Sequence, residues 1–152
     1  MRKALRDLWT NQSAMQALYE HCIDPVCKKY EISPIEFKIL MFVHKYPDLN
    51  RAADIVKYKG ISKSYVSLSL KCLSERGLIK GEKRGDDRKN IYLTLLPAAD
   101  PLVVEGLKAQ KDYLNILLTD FDKDEVDQLL SFFNRMNKNV KNAHEELNKQ
   151  EK

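Results

Sequence analysis

Within a few residues of Gly77 the chain changes its periodicity, and that change limits the folds open to it. Before Gly77, Ile61, Val66, Leu70 and Leu73 recur at helical spacing. After it, Leu78-Ile79-Lys80-Gly81-Glu82 is short and strand-like. Asn90 to Leu95 then alternates, with Ile91, Leu93 and Leu95 on one side and Tyr92 and Thr94 on the other. Arg84-Gly85-Asp86-Asp87 between the two runs has turn chemistry, so they predict one β-hairpin with a charged tip. A lone two-stranded sheet is marginal in water, so this hairpin has to pack on helices.

The preceding segments supply those helices. Residues 2–23 repeat apolar side chains at helical spacing, and Pro25, which lacks an N–H, is expected to end that ladder. Ser33-Pro34-Ile35-Glu36 predicts a helix start: Ser caps, Pro takes the first helical position, and Glu reaches back to the cap. Phe37, Leu40, Met41 and His44 share one face of this helix, Ile39 and Val43 widen it, and Tyr46-Pro47 closes it. Asn50 is expected to cap a short third helix through Lys57 that buries Ala53, Ile55 and Val56 and stops at Lys59-Gly60. Ser62 caps a fourth helix running to Arg76, with Gly77 where a left-handed residue is wanted. Helix, tight turn, helix, hairpin is the outline of a winged helix-turn-helix.

Beyond the hairpin the chain returns to helices. Asp100-Pro101 predicts one start, followed by the stripe Val103, Leu107, Leu114, Leu117 and Phe121. Asp122-Lys123-Asp124-Glu125 predicts another, with acids favourable in the first turn. Val126, Leu129, Leu130, Phe133, Met136, Val140 and Leu147 then keep helical spacing. Stripes this long exceed what a winged helix needs for its own core, so a second copy of the chain is the expected cover. Leu5, Leu8, Val126, Leu129, Leu130 and Phe133 are the candidate dimer contacts. The expected division is an N-terminal helix over 1–30 for dimerisation, a winged helix over 31–97, C-terminal dimerisation helices over 98–147 and a frayed tail over 148–152. The fold class is mainly α with a small β-hairpin wing.

Charge points to the partner. From Lys57 to Lys89 lie ten cations and four anions, a net of +6, whereas the remaining 16 cations and 18 anions leave the rest at −2. A polyanion is therefore drawn to the middle third. On the fourth helix Lys63, Ser64, Ser67, Lys71 and Ser74 share a face: small hydroxyls can bond base edges or phosphates, and lysines neutralise phosphate charge. At the hairpin tip Lys83, Arg84, Arg88 and Lys89 suit a minor groove, with an aspartate bracing a neighbouring guanidinium.

The stretches Gly60-Ile61-Ser62-Lys63-Ser64-Tyr65-Val66-Ser67, Leu73-Ser74-Glu75-Arg76-Gly77-Leu78-Ile79, Asp87-Arg88-Lys89 and Leu93-Thr94-Leu95 resemble the MarR family of bacterial winged-helix transcription regulators, and the likeness spans nearly the whole chain. Lys89 stands where the family's wing usually has a second Arg, and Leu96 where its strand ends in Thr. The resemblance implies a homodimer on a pseudo-palindromic duplex DNA operator, acting as a repressor in the first instance. Lys63, Ser64, Tyr65, Ser67 and Lys71 would read or flank the major groove; Arg84, Arg88 and Lys89 would serve the wing, with Asp87 as the orienting carboxylate. It also implies release by a small effector or an oxidant. Trp9, Tyr19, Phe37, Met41 and Tyr113 are the candidate effector pocket, and Cys22 the candidate redox thiol. The competing class is a winged-helix module that docks protein instead of DNA.

Other chemistries find little support. His21, His44 and His144 are scattered, His44 falls on an apolar face, and no Gly-rich phosphate loop is present among five glycines. No enzyme activity, cofactor or metal is expected. Hydrophobic content of 43% and charged content of 32% suit a folded globule, and the longest strongly apolar run, Ile39 to Val43, excludes a membrane helix. Three irregularly spaced cysteines and an N-terminus that meets charge early lead to the expectation of a cytoplasmic protein.

Overall fold

The computed structural model describes residues 11–84 and 87–150, without the side chains of residues 87–89, 144 and 148–150. Its elements are α1 (Gln12–Lys29), α2 (Pro34–Lys45), α3 (Ala52–Lys59), α4 (Lys63–Glu75), β1 (Ile79–Arg84), β2 (Asp87–Leu95), a 3-10 turn at Pro97–Ala99, α5 (Asp100–Leu117) and α6 (Lys123–Gln150). Two compact units result, one ending at Tyr113 and one beginning at Leu114.

The core of the first unit forms around α2. Ser33 accepts from the Glu36 N–H at 3.2 Å while Glu36 accepts from the Ser33 N–H at 2.7 Å, so the expected capping box starts the helix. Phe37, Ile39, Leu40, Met41, Phe42 and Val43 are all buried, making α2 the central pillar. Against it lie Ile23, Val26 and Cys27 of α1, Ile55 of α3, Val66 and Leu73 of α4, Leu93 of β2 and Leu102 of α5.

Several expectations are corrected here. Pro25 does not end the first helix but lies inside α1. An interior Pro costs about 3 kcal/mol, and burial of Ile23, Val26 and Cys27 on either side outweighs it. His44 is exposed, and Phe42 takes the buried place instead. Asn50 does not cap α3; Arg51 is the cap residue and Ala53 is exposed. Asn50 is itself buried, donating from Nδ2 to the Leu93 carbonyl at 2.9 Å and accepting the Leu93 N–H at 2.7 Å. Beside it Arg51 bridges Tyr92, so a third short segment edges the hairpin. The hairpin is longer than expected, because β2 begins at Asp87, and Ile91 faces solvent. The helical backbone of α6 continues to Gln150.

Gly106 shows how tightly α5 sits on α2. A Cβ there would lie 2.9 Å from both Met41 Sδ and Phe37 Cε2. Gly106→Val is expected to destabilise the fold by about 1–3 kcal/mol through overpacking, read as a lowered midpoint in thermal or urea unfolding.

Candidate nucleic-acid interface

Helix α4 is set by the turn before it. Gly60 takes φ 62°, a left-handed conformation that ends α3, and Ser62 then caps α4 by accepting the Tyr65 N–H at 3.4 Å. Val66, Ser69 and Leu73 are buried against the core. Lys63, Ser64, Tyr65, Ser67, Lys71 and Ser74 are all exposed, so the expected reading face stands in solvent along one helix. Lys71 meets Glu75 at 3.9 Å across an exposed helical turn, a pair weak enough for a phosphate to displace.

Beyond Gly77, which has φ 68°, β1 and β2 pair antiparallel with Ile79 opposite Leu95 and Arg84 opposite Asp87. The register shifts between Glu82 and Arg84, a bulge that increases local twist near the tip. Arg84 places its guanidinium 4.7 Å from the Tyr92 ring centroid, which fixes the direction of this wing cation. Lys80 bonds Glu82 at 2.6 Å and draws the Glu82 carboxyl below its ordinary pKa. The backbone of Asp87, Arg88 and Lys89 lies in β2, but their side chains fall outside the described residues.

Two anchors hold these parts in place. Arg51 Nε and Nη2 donate to the Asp54 carboxylate at 2.8 and 2.9 Å, and these bonds hold the Asp54 pKa below the usual carboxylate value. Asp54→Asn is expected to cost about 1–3 kcal/mol. The Asp54 contribution is full above the ordinary carboxylate pKa of about 4 and is lost as pH falls through the depressed native value. Unfolding midpoints of the wild type and Asp54→Asn should therefore converge in acid. The second anchor is Arg76, whose exposed guanidinium donates to the carbonyls of Tyr30 and Glu31.

A cavity of about 450 Å³ opens in the first unit among α1, α2, α3 and α5, lined by Tyr19, Met41, Phe42, Leu107 and Gln110 with Lys38, His44, Lys45, Tyr46 and Lys59. Lys59 lies 5.5 Å from the Phe42 ring centroid, and desolvation lowers its pKa, with Lys45 and Lys38 acting in the same sense and Tyr46 opposing. Tyr19 accepts from Gln110 Nε2 at 2.9 Å and meets Tyr113 edge-on at 5.3 Å. Of the residues expected here, Tyr19 and Met41 reach the cavity, Phe37 is fully buried in the core, Tyr113 braces Tyr19, and Trp9 lies outside the described residues. The sequence reading missed Phe42 and the three lysines; the visible signal was the Lys45-Tyr46 pair following an unbroken apolar run. Cys22 is half-buried, and burial raises the pKa of the Cys27 thiol.

In the second unit, Asp122 and Glu125 form a reciprocal cap at 2.9 Å each way, as expected. Along α6, Leu130, Phe133, Met136, Val140 and Leu147 are exposed while Val126 and Leu129 are partly covered. Leu5 and Leu8 lie outside the described residues. Among the described residues no helix is long and apolar enough to cross a membrane, and no three His, Cys, Asp or Glu side chains converge as metal ligands.

No protein-family model matches the chain. Solved structures do. The transcriptional regulator PA3341 superposes with a TM-score of 0.77 at 19% identity, covering 93% of this chain and 99% of its own. A putative MarR family transcriptional regulator from Listeria monocytogenes, complexed with 26mer DNA, gives 0.73 at 18%, covering 90% and 87%. Staphylococcus aureus MarR, in complex with salicylate and kanamycin, gives 0.71 at 21%, covering 91% and 93%.

Proposed function

We propose that this chain, which has the fold of the MarR-type winged-helix regulators, is a homodimeric, sequence-specific DNA-binding repressor of transcription. The observation that carries the reading is the exposed row Lys63, Ser64, Ser67 and Lys71 on α4, backed by buried Val66, Ser69 and Leu73 and placed beside a hairpin bearing Lys83 and Arg84. A helix so backed presents base-reading hydroxyls with phosphate-neutralising lysines, and Arg84, Arg88 and Lys89 serve the wing, with Asp87 as the orienting carboxylate. The Listeria protein's complex with DNA supports this use of the fold. The uncovered stripe on α6 supports a second copy as its cover, and two-fold symmetry places the two α4 helices about one DNA turn, roughly 34–36 Å, apart.

Release by a small ligand is supported by the cavity, whose apolar floor and lysine rim suit an aromatic anion. A ligand is preferred over an oxidant acting at Cys22 because only the ligand has a site built for it. The test of the whole reading is a selection of random duplexes with the purified protein. One family of related pseudo-palindromes should emerge, and Ser67→Ala should change which sequences are selected more than it changes affinity for unselected DNA. Equal losses on selected and unselected duplexes would show that α4 does not read bases.

A further inference from the structure

The outward side of α4 holds one feature that phosphate binding does not explain. Ser64, Leu68 and Lys71 follow one another a helical turn apart, on the side away from buried Val66 and Leu73. Leu68 in that row is 60% exposed, and Tyr65, one turn before it, is 59% exposed. An isobutyl group does nothing to hold a phosphate. An apolar side chain between a hydroxyl and an ammonium does match a major-groove edge, where thymine alone presents a methyl group beside hydrogen-bond acceptors.

We propose that Leu68 is a specificity residue that reads thymine, seating its methyl groups on the C5 methyl of one thymine in each half-site while Ser64 and Lys71 hold the flanking groove edge. The inference rests on the DNA-binding reading above and adds to it the identity of one base. Charge around the side chain decides the occupant: Lys71 lies one turn from Leu68, and both stand exposed in the basic third of the chain, which favours duplex DNA over an apolar protein groove.

The experiment uses the full chain and a duplex it selects from a random pool. Each thymine is replaced singly by deoxyuridine, which removes only the methyl group, and affinity is measured by fluorescence anisotropy for wild type, Leu68→Ala and Leu68→Met. At one thymine per half-site the replacement should weaken wild type about three- to tenfold. Leu68→Ala should be weaker by a similar factor and indifferent to that replacement. Leu68→Met should keep the sensitivity, and all three should share one salt dependence because no charge changes. Leu68 is exposed, so both variants should keep the wild-type unfolding midpoint. If every deoxyuridine duplex affects wild type and Leu68→Ala equally, or none affects wild type, the thymine assignment is overturned while DNA binding stands. If no duplex binds at low salt, the proposed function falls and this assignment falls with it.

Discussion

Raising salt from 50 to 200 mM is expected to weaken binding to a selected operator by about 10³–10⁵-fold, the behaviour of a protein that displaces counterions from roughly six to ten phosphates. Lys63, Lys71, Arg84, Arg88 and Lys89, doubled by two-fold symmetry, supply cations in that range. The exposed Lys71–Glu75 pair at 3.9 Å is no obstacle, since such pairs contribute little and a phosphate can replace the carboxylate. Anisotropy titrations over that salt range give the slope, and Lys71→Ala should lower it by roughly two in a dimer, one phosphate per half-site. A flat response would point instead to an apolar docking module, the competing class for a winged helix with exposed Tyr65 and Leu68.

Leu130→Glu and Phe133→Glu should each convert the protein from dimer to monomer at micromolar concentration, as read by sedimentation equilibrium. Both side chains are about half exposed on α6, so a carboxylate there leaves the chain's own core untouched. In a symmetric interface each substitution is made twice, and each buried, unpaired carboxylate costs several kcal/mol unless it takes up a proton. Leu129 is the poorer choice, being already partly covered within the single chain. Operator binding should fall with dimerisation, because one α4 helix reads only one half-site. Variants that stay dimeric would move the interface elsewhere.

Local rules made much of this architecture legible. Ser33 with Glu36, Ser62, and Asp122 with Glu125 each announced a helix start through side chains that satisfy backbone groups, Gly77 announced a helix end through its left-handed backbone, and each stands where it was expected. The change of period at Gly77 likewise located the hairpin. What escaped were choices settled by distant partners. Pro25 stays helical because α1 is pinned on both sides of it by contacts with the core. Asn50 looked like a cap, yet it serves the Leu93 backbone, a partner far along the chain that no local pattern reveals. The exposed polar face of α4 could be seen because it depends on one helix alone. The cavity could be seen only in part, since Lys38, Lys45 and Lys59 come together through the packing of two helices.

The grip of Arg76 on the carbonyls of Tyr30 and Glu31 ties the far end of α4 to the far end of α1. Tyr19, on that same α1, stands at the cavity wall. Displacing the end of α1 would therefore strain two hydrogen bonds at the end of α4 as well. One guanidinium and two peptide oxygens thus fasten together the ends of two helices that lie some 45 residues apart in the chain.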